Sequence, residues 1–206
     1  MKWRSLWKDC KTMLKVSHIH GRPDVYHDLF QTFRTGSTIR EFVYTIEQLS
    51  AALKFSNDDE QQKFKGDSLE VLSELFFTFN STSPRHGIKD YEPISISDDF
   101  GVDAIGYNAN GHKVAVQCKY KANPQEPILY ADVAKTFCSG MLDFECDVKE
   151  NNSIFVFTTS NVMTSALSRL EKKLVFLSRN MIGAEIDNNK SFWELSYLKV
   201  YNSLNV

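Results

Sequence analysis

An acid, an amide and a lysine stand close together in the middle of this chain: Asp103, then Gln117 and Lys119. Side chains alternate between the two faces of a strand. In Lys113–Tyr120, Val114, Val116 and Cys118 therefore share one face, which is apolar and reads as core. Ala115, Gln117 and Lys119 share the other. Upstream, Asp103 alternates with Val102 and Ala104 in a second strand candidate, Val102–Tyr107. Between the two lies Asn108-Ala109-Asn110-Gly111, a hairpin signal because Asn and Gly tolerate positive φ. Closing the hairpin at that turn can bring Asp103 onto the face of Gln117 and Lys119. Magnesium takes oxygen ligands in an octahedral shell and keeps several waters. Asp103, the Gln117 side-chain oxygen and the backbone carbonyl of Cys118 suit such an ion. Lys119 then suits orienting a water, lowering its pKa or stabilising charge that builds on a phosphate. An ordinary hairpin with a polar outer face also fits this spacing. Against it, the run Val-Ala-Val-Gln-Cys-Lys-Tyr places an amide and a cation inside a core-like strand, where unpaired polar groups cost roughly 1–3 kcal/mol each.

Several elements must position these groups. Gly66–Phe79 reads as a helix with an apolar face at 69, 72, 75, 76 and 79. It carries Glu70, which could add a carboxylate to a metal shell, and Glu74 one turn later, which competes for that role. Tyr91–Ser97 is a further strand candidate, and Ile128–Leu142 reads as a helix. Ser153–Thr159 is a continuous apolar run, as expected of a strand buried on both faces. Val162–Lys173 reads as helical and Leu174–Leu177 as a short strand. The order of helix, three strands, helix, strand and helix predicts an α/β fold with a mixed sheet, not a doubly wound one.

The run Gly101-Val102-Asp103-Ala104-Ile105, followed by Val116-Gln117-Cys118-Lys119-Tyr120, resembles the PD-(D/E)XK nuclease superfamily, and within it the Mrr-like restriction endonuclease branch. That branch pairs G-x-D with Q-x-K. Gly66-Asp67-Ser68-Leu69-Glu70 resembles its helix opening, Phe157-Thr158-Thr159-Ser160 its later strand end, and Val162–Leu170 the helix that follows. The resemblance spans about Phe64 to Ile182. It implies a restriction-endonuclease-like mixed β-sheet flanked by helices, with Asp103 as central metal ligand, Gln117 as second ligand, Lys119 as catalytic lysine and Glu70 as the helix carboxylate. It further implies a Mg²⁺-dependent DNA endonuclease, with Mn²⁺ able to substitute, hydrolysing phosphodiester bonds through metal-activated water. Gln in place of an acid at 117 removes one formal charge, so help from Glu70 or from substrate phosphate is more necessary. Pro is missing before the first acid. A nuclease fold that binds nucleic acid without cutting, and a nuclease directed at RNA, are the competing expectations.

Around this centre, Tyr120, Lys121 and Lys135 are candidate phosphate contacts. Asp98 and Asp99 read as turn residues that could assist, and His86 and His112 as surface groups in turns. Residues 61–206 form the expected nuclease domain. Residues 1–60 are read as a helical N-terminal region for DNA binding or dimerisation, with a helical stripe over Ile39–Phe55. The first 40 residues hold eight Lys or Arg against three acids, while the whole chain is at −2. A basic end beside an acidic body suits gripping phosphates with one part and holding cations with another. Trp3, Trp7, Phe30 and Phe33 interleave with those basic residues, whereas Trp193 and Tyr197 read as core. No run of 18 apolar residues and no secretory core is present, so no membrane partner and an intracellular, cytoplasmic setting are expected, in a bacterial or phage-infected cell. Double-strand cutting makes a homodimer a reasonable expectation. Cys10, Cys118, Cys138 and Cys146 lack zinc spacing and read as buried or incidental thiols.

Overall fold

The computed structural model describes residues 13–16, 19–20, 22–84, 86–94, 101–147, 149–170 and 172–204. Trp3, Trp7, Cys10, Asp98 and Asp99 lie outside them. The helices are α1 (Pro23–Tyr26), α2 (Leu29–Thr35), α3 (Ile39–Ala52), α4 (Asp58–Phe79), α5 (Tyr130–Leu142), α6 (Ser165–Ser168), α7 (Arg179–Ile186) and α8 (Lys190–Leu204). The strands are β1 (Lys89–Pro93), β2 (Ala104–Tyr107), β3 (Lys113–Lys119), β4 (Ile154–Thr158) and β5 (Leu174–Leu177).

The five strands form one sheet in the order β1-β2-β3-β4-β5. β1, β2 and β3 run antiparallel, and β4 and β5 continue parallel to β3. The fold is therefore α/β with a mixed sheet flanked by helices. The hairpin forms where the Asn and Gly residues predict it. Asn108 Oδ1 accepts from Asn110 N at 3.0 Å and His112 N at 3.1 Å, and Gly111 takes φ +80. Ala104 then pairs with Val116, and Tyr107 with Lys113. The parallel β3–β4 step needs a crossover, which α5 provides.

Two cores cover the two sheet faces. Leu69, Leu72 and Phe76 of α4 pack with Val114, Val116, Phe155 and Phe157 on one face. Val133 of α5 packs with Ala115, Ile154, Val156 and Leu167 on the other. Burying each large apolar side chain contributes about 1.5–3 kcal/mol, so the two cores hold the sheet from both sides. The first core runs without a break across residue 60: Phe33, Phe42 and Ile46 belong to it along with Phe64 and Leu72. Trp193 is buried there too, and Tyr197 is half-buried against it. No helix among the described residues is long and apolar enough to cross a membrane.

Three expectations need correction. α4 begins at Asp58, inside the polar stretch 56–62 that reads as either a linker or a helix start, and eight residues before the apolar pattern opens at Gly66. Asn57 caps it by accepting from Glu60 N at 2.8 Å, and Asp58, Asp59 and Glu60 sit at the positive end of the helix dipole. The helix predicted over Val162–Lys173 is only the four residues of α6. Met163 instead pairs with Ile128 in an extended bridge, with Thr164 N donating to Ile128 O at 3.1 Å. His86, expected at the surface, is buried, with its Nε2 at 3.9 Å from Glu185 Oε1.

Glu74 ties the N-terminal segment down. Its carboxylate accepts from Lys15 N with both oxygens at 2.9 Å and from Val16 N at 2.9 Å. Leu14 N donates to Ser203 Oγ at 2.7 Å close by. Burial pushes the Glu74 carboxyl above its ordinary range, while those two N–H groups and the charge of the buried Lys199 pull the other way. Removing the carboxylate strands two backbone donors and takes away a negative charge that acts on the buried Lys199. Glu74→Ala is expected to cost about 2–4 kcal/mol in urea unfolding, whereas Glu145→Ala, well away from this cluster, stays within about 0.5 kcal/mol. Equal midpoints for the two variants refute the anchoring role.

Candidate functional site

Asp103 is fixed by extending the ladder beyond the end of β2. Its N–H donates to Val116 O at 2.9 Å, and its carbonyl accepts from Ile94 N at 2.9 Å. Just before it, Gly101 takes φ +85, and a Cβ there would lie 2.7 Å from Lys135 Cβ. Glycine supplies both the left-handed backbone and the room for α5 to approach. Gly140 allows a second close approach further along that helix, where a Cβ would come within 3.2 Å of Ala115 Cβ.

Gln117 and Lys119 follow from the register of β3 with β4, in which Gln117 pairs with Val156 and Lys119 with Thr158. The expected parity holds: Val114, Val116 and Cys118 face the α4 core, and Ala115 faces the α5 core. Gln117 is only 3% exposed, and Lys119 is half-buried. The structure joins Asp103 to Gln117 directly. Gln117 Nε2 donates to Asp103 Oδ2 at 2.9 Å, and Cys118 N donates to the same oxygen at 2.5 Å. From α5, the fully buried Thr136 hydroxyl lies at 2.6 Å from Gly101 O and in hydrogen-bond contact with Gln117 Oε1.

The Cys118 thiol shows which charges share this place. Burial raises its pKa most, the charges of Asp103 and Glu70 raise it further, and Lys119 opposes them. Asp103, Glu70 and Lys119 thus all act on one buried sulfur. Glu70 lies half-buried on α4, and its charge also acts on Tyr91 and Tyr26. The neighbouring Asp67 is engaged differently: it accepts from the Tyr26 hydroxyl and from Lys63 Nζ at 2.9 Å. Of the two helix carboxylates that compete on sequence grounds, Glu70 is the one whose charge acts on Cys118, and Glu74 holds the N-terminal segment.

The other candidates lie at the margin. The Tyr120 hydroxyl donates to Glu47 Oε1 at 2.9 Å and lies 3.3 Å from Val43 O, which joins β3 to α3. Lys121 Nζ pairs with Glu126 at 2.5 Å, and its carbonyl accepts from Arg179 at 2.9 Å. Lys135 is exposed on α5, beside Gly101. Thr136 is the residue that sequence reasoning missed. Its signal was a hydroxyl on the inward line Val133, Thr136, Gly140 of an otherwise apolar helix face.

Among the described residues, no group of three or more His, Cys, Asp or Glu side chains is gathered to hold a metal. The oxygen donors that meet here are the Asp103 carboxylate and the neutral Gln117 side-chain oxygen, a type of donor that hard cations accept. No family model matches this chain, and no curated protein or solved structure matches it.

Cys118 has a packing role, and its thiol is far from the thiolate that a nucleophile requires. Cys146 is likewise buried, with its pKa pushed up to about 11, while Cys138 is exposed. Iodoacetamide at pH 8 is expected to alkylate Cys138 at least about tenfold faster than Cys118 or Cys146 in the folded protein. Peptide mapping by mass spectrometry reads the rates, and equal labelling of Cys118 and Cys138 contradicts this assignment.

Proposed function

We propose that the protein is a Mg²⁺-dependent DNA endonuclease with a restriction-endonuclease-like fold. The observation that carries the reading is the meeting of Gln117 and Asp103 across the β2–β3 hairpin, 2.9 Å apart, with Lys119 two residues on along the same strand. Their spacing as G-x-D and Q-x-K is what resembles the Mrr-like branch of the PD-(D/E)XK nucleases. The mixed sheet with a crossover helix between β3 and β4 is compatible with that fold. Glu70, whose charge converges with theirs on Cys118, completes the proposed set.

The roles divide by chemistry. Asp103 supplies the formal negative charge that holds a cation, and Gln117, Glu70 and the Cys118 carbonyl are its proposed companions. A bound Mg²⁺ supplies Lewis-acid stabilisation of the charge that develops on the phosphate. The Lys119 ammonium, close to these groups, donates to the attacking water and to the phosphate oxygens, where a positive charge in a half-buried site is worth more than in open water. The Cys118 N–H keeps the Asp103 carboxylate from swinging. Lys135, exposed on α5, and Lys121, paired with Glu126, are the proposed contacts to the phosphodiester backbone.

Asp103→Asn and Lys119→Ala are each expected to lower cleavage by about a hundredfold or more, with unfolding free energies within about 1 kcal/mol of the unaltered protein. Nicking and linearisation of supercoiled plasmid, together with cutting of linear duplex, single strands and RNA, each with and without Mg²⁺, measure this. Cutting that survives Asp103→Asn refutes the assignment, and preference for RNA redirects it. A second reading, a nuclease-like module that binds nucleic acid without cutting, draws on the amide nitrogen of Gln117 facing Asp103. Binding with no cleavage of any substrate in Mg²⁺ or Mn²⁺ selects that reading.

A further inference from the structure

Thr136 lies between two acceptors and has one hydrogen to give. Gly101 O is 2.6 Å from its hydroxyl oxygen, and Gln117 Oε1 is in contact with it as well. One of these carbonyl oxygens must therefore face a hydroxyl lone pair, and Thr136 and Gln117 are both buried. An unmatched polar contact of this kind is costly because no water relieves it.

Turning the Gln117 amide over removes the conflict. The two ends of a side-chain amide are alike in shape and differ only in hydrogen bonding. With the ends exchanged, Nε2 donates to Thr136 Oγ1 and the Thr136 hydroxyl donates to Gly101 O, so all three groups are matched. The cost moves to the other end, where Oε1 faces Asp103 Oδ2 across the 2.9 Å now spanned by the Nε2 hydrogen bond. Two oxygens at that separation repel each other unless a cation lies against both. Adjacent oxygens in an octahedral magnesium shell, with bonds of about 2.0–2.1 Å, are about 2.9 Å apart. The 2.9 Å now spanned is an ordinary N–H···O length, and it would also suit two oxygens that share one such ion.

We infer that Thr136 is a positioning residue that holds the Gln117 amide in its metal-binding orientation, and that Mg²⁺ turns this amide over. Without the ion, Gln117 donates to Asp103 and Thr136 serves only one of two acceptors. With the ion, Gln117 presents its oxygen beside Asp103, and Thr136 accepts from Nε2 while donating to Gly101. The inference rests on the proposed metal site of Asp103 and Gln117, and it assigns the control of that site to a side chain on the crossover helix.

Calorimetric titration of Mg²⁺ or Mn²⁺ into the protein, without nucleic acid, tests it through binding alone. Partners behind a ligand are typically worth 10–100-fold in metal affinity. Thr136→Val, which keeps the shape and loses the hydroxyl, is expected to weaken binding about tenfold or more, and Thr136→Ser to restore it to within about threefold. In the unaltered protein, NMR is expected to show the Gln117 side-chain NH₂ gaining a contact to the Thr136 methyl when Mg²⁺ is added. That measurement decides the matter even where Thr136→Val fails to fold. Metal binding that is lost in Asp103→Asn but unchanged in Thr136→Val, with no new amide contact, overturns the inference and leaves the metal site standing. Absence of Mg²⁺ and Mn²⁺ binding in the unaltered protein overturns both.

Discussion

A primary amide has two donors and one acceptor, and Gln117 must satisfy them inside a strand covered on both faces. Water cannot help a side chain that is 3% exposed. The partners must therefore come from other elements, and this requirement organises much of the surrounding structure. β2 must run on past its regular end to present Asp103. The chain before it must take a left-handed turn at Gly101, with space left for α5. α5 must come close enough to β3 to place a hydroxyl over the amide, and Gly140 lets its backbone approach Ala115. Each of these steps is a matter of sterics or hydrogen bonding, and each converges on one buried group.

The long helix α4 connects this centre to the rest of the molecule. Glu70 and Glu74 are one turn apart and differ in surroundings. Glu70 is half-buried and its charge is felt by Cys118, whereas Glu74 is enclosed and bound to the backbone at Lys15 and Val16. The residues between them, Val71, Leu72 and Ser73, are buried. Ser73 adds a polar link, its hydroxyl 3.0 Å from that of Tyr91. A rigid helix packed along this length holds the N-terminal segment and the sheet in fixed relation, so the carboxylate of Glu70 is positioned by the same core that anchors residues 14–16.

The strands were more legible than the helices. β5 matches its predicted span, β3 is shorter by one residue at one end and β4 by one residue at each end, because runs of Val, Ile and Phe bounded by polar residues mark buried strands well. The pairing of Asp103 with Gln117 could be read from strand parity and one Asn-Gly turn. The start of α4 was only half legible: its first turns are Asp, Glu, Gln and Lys with little apolar pattern, so residues 56–62 read equally as a linker or a helix start, and a capping Asn57 sets the boundary. α7 and α8 were also hidden. On α8 the inward positions include Ser196, Lys199 and Ser203 among the aromatics, so the stripe that signals a helix is interrupted by buried polar groups. Thr136 was overlooked for a related reason: its hydroxyl has meaning only once α5 is laid on β3.

The neutral residue at 117 has a physical consequence of its own. A carboxylate in its place would stand about 2.9 Å from Asp103 Oδ2 in a nearly water-free setting. Two carboxylates so close cannot both stay ionised, and one is held protonated until a cation arrives. Folding would then be linked to metal or to proton uptake. An amide avoids this because it can turn its nitrogen toward Asp103 and match the carboxylate with a hydrogen bond. The sheet can thus assemble around the centre with no ion present. The same neutrality would weaken the proposed hold on a cation by one formal charge and leave more of it to Asp103 and Glu70. Stability of the fold and the proposed affinity for a cation therefore oppose each other at this single position, and Gln117 sits on the side of the fold.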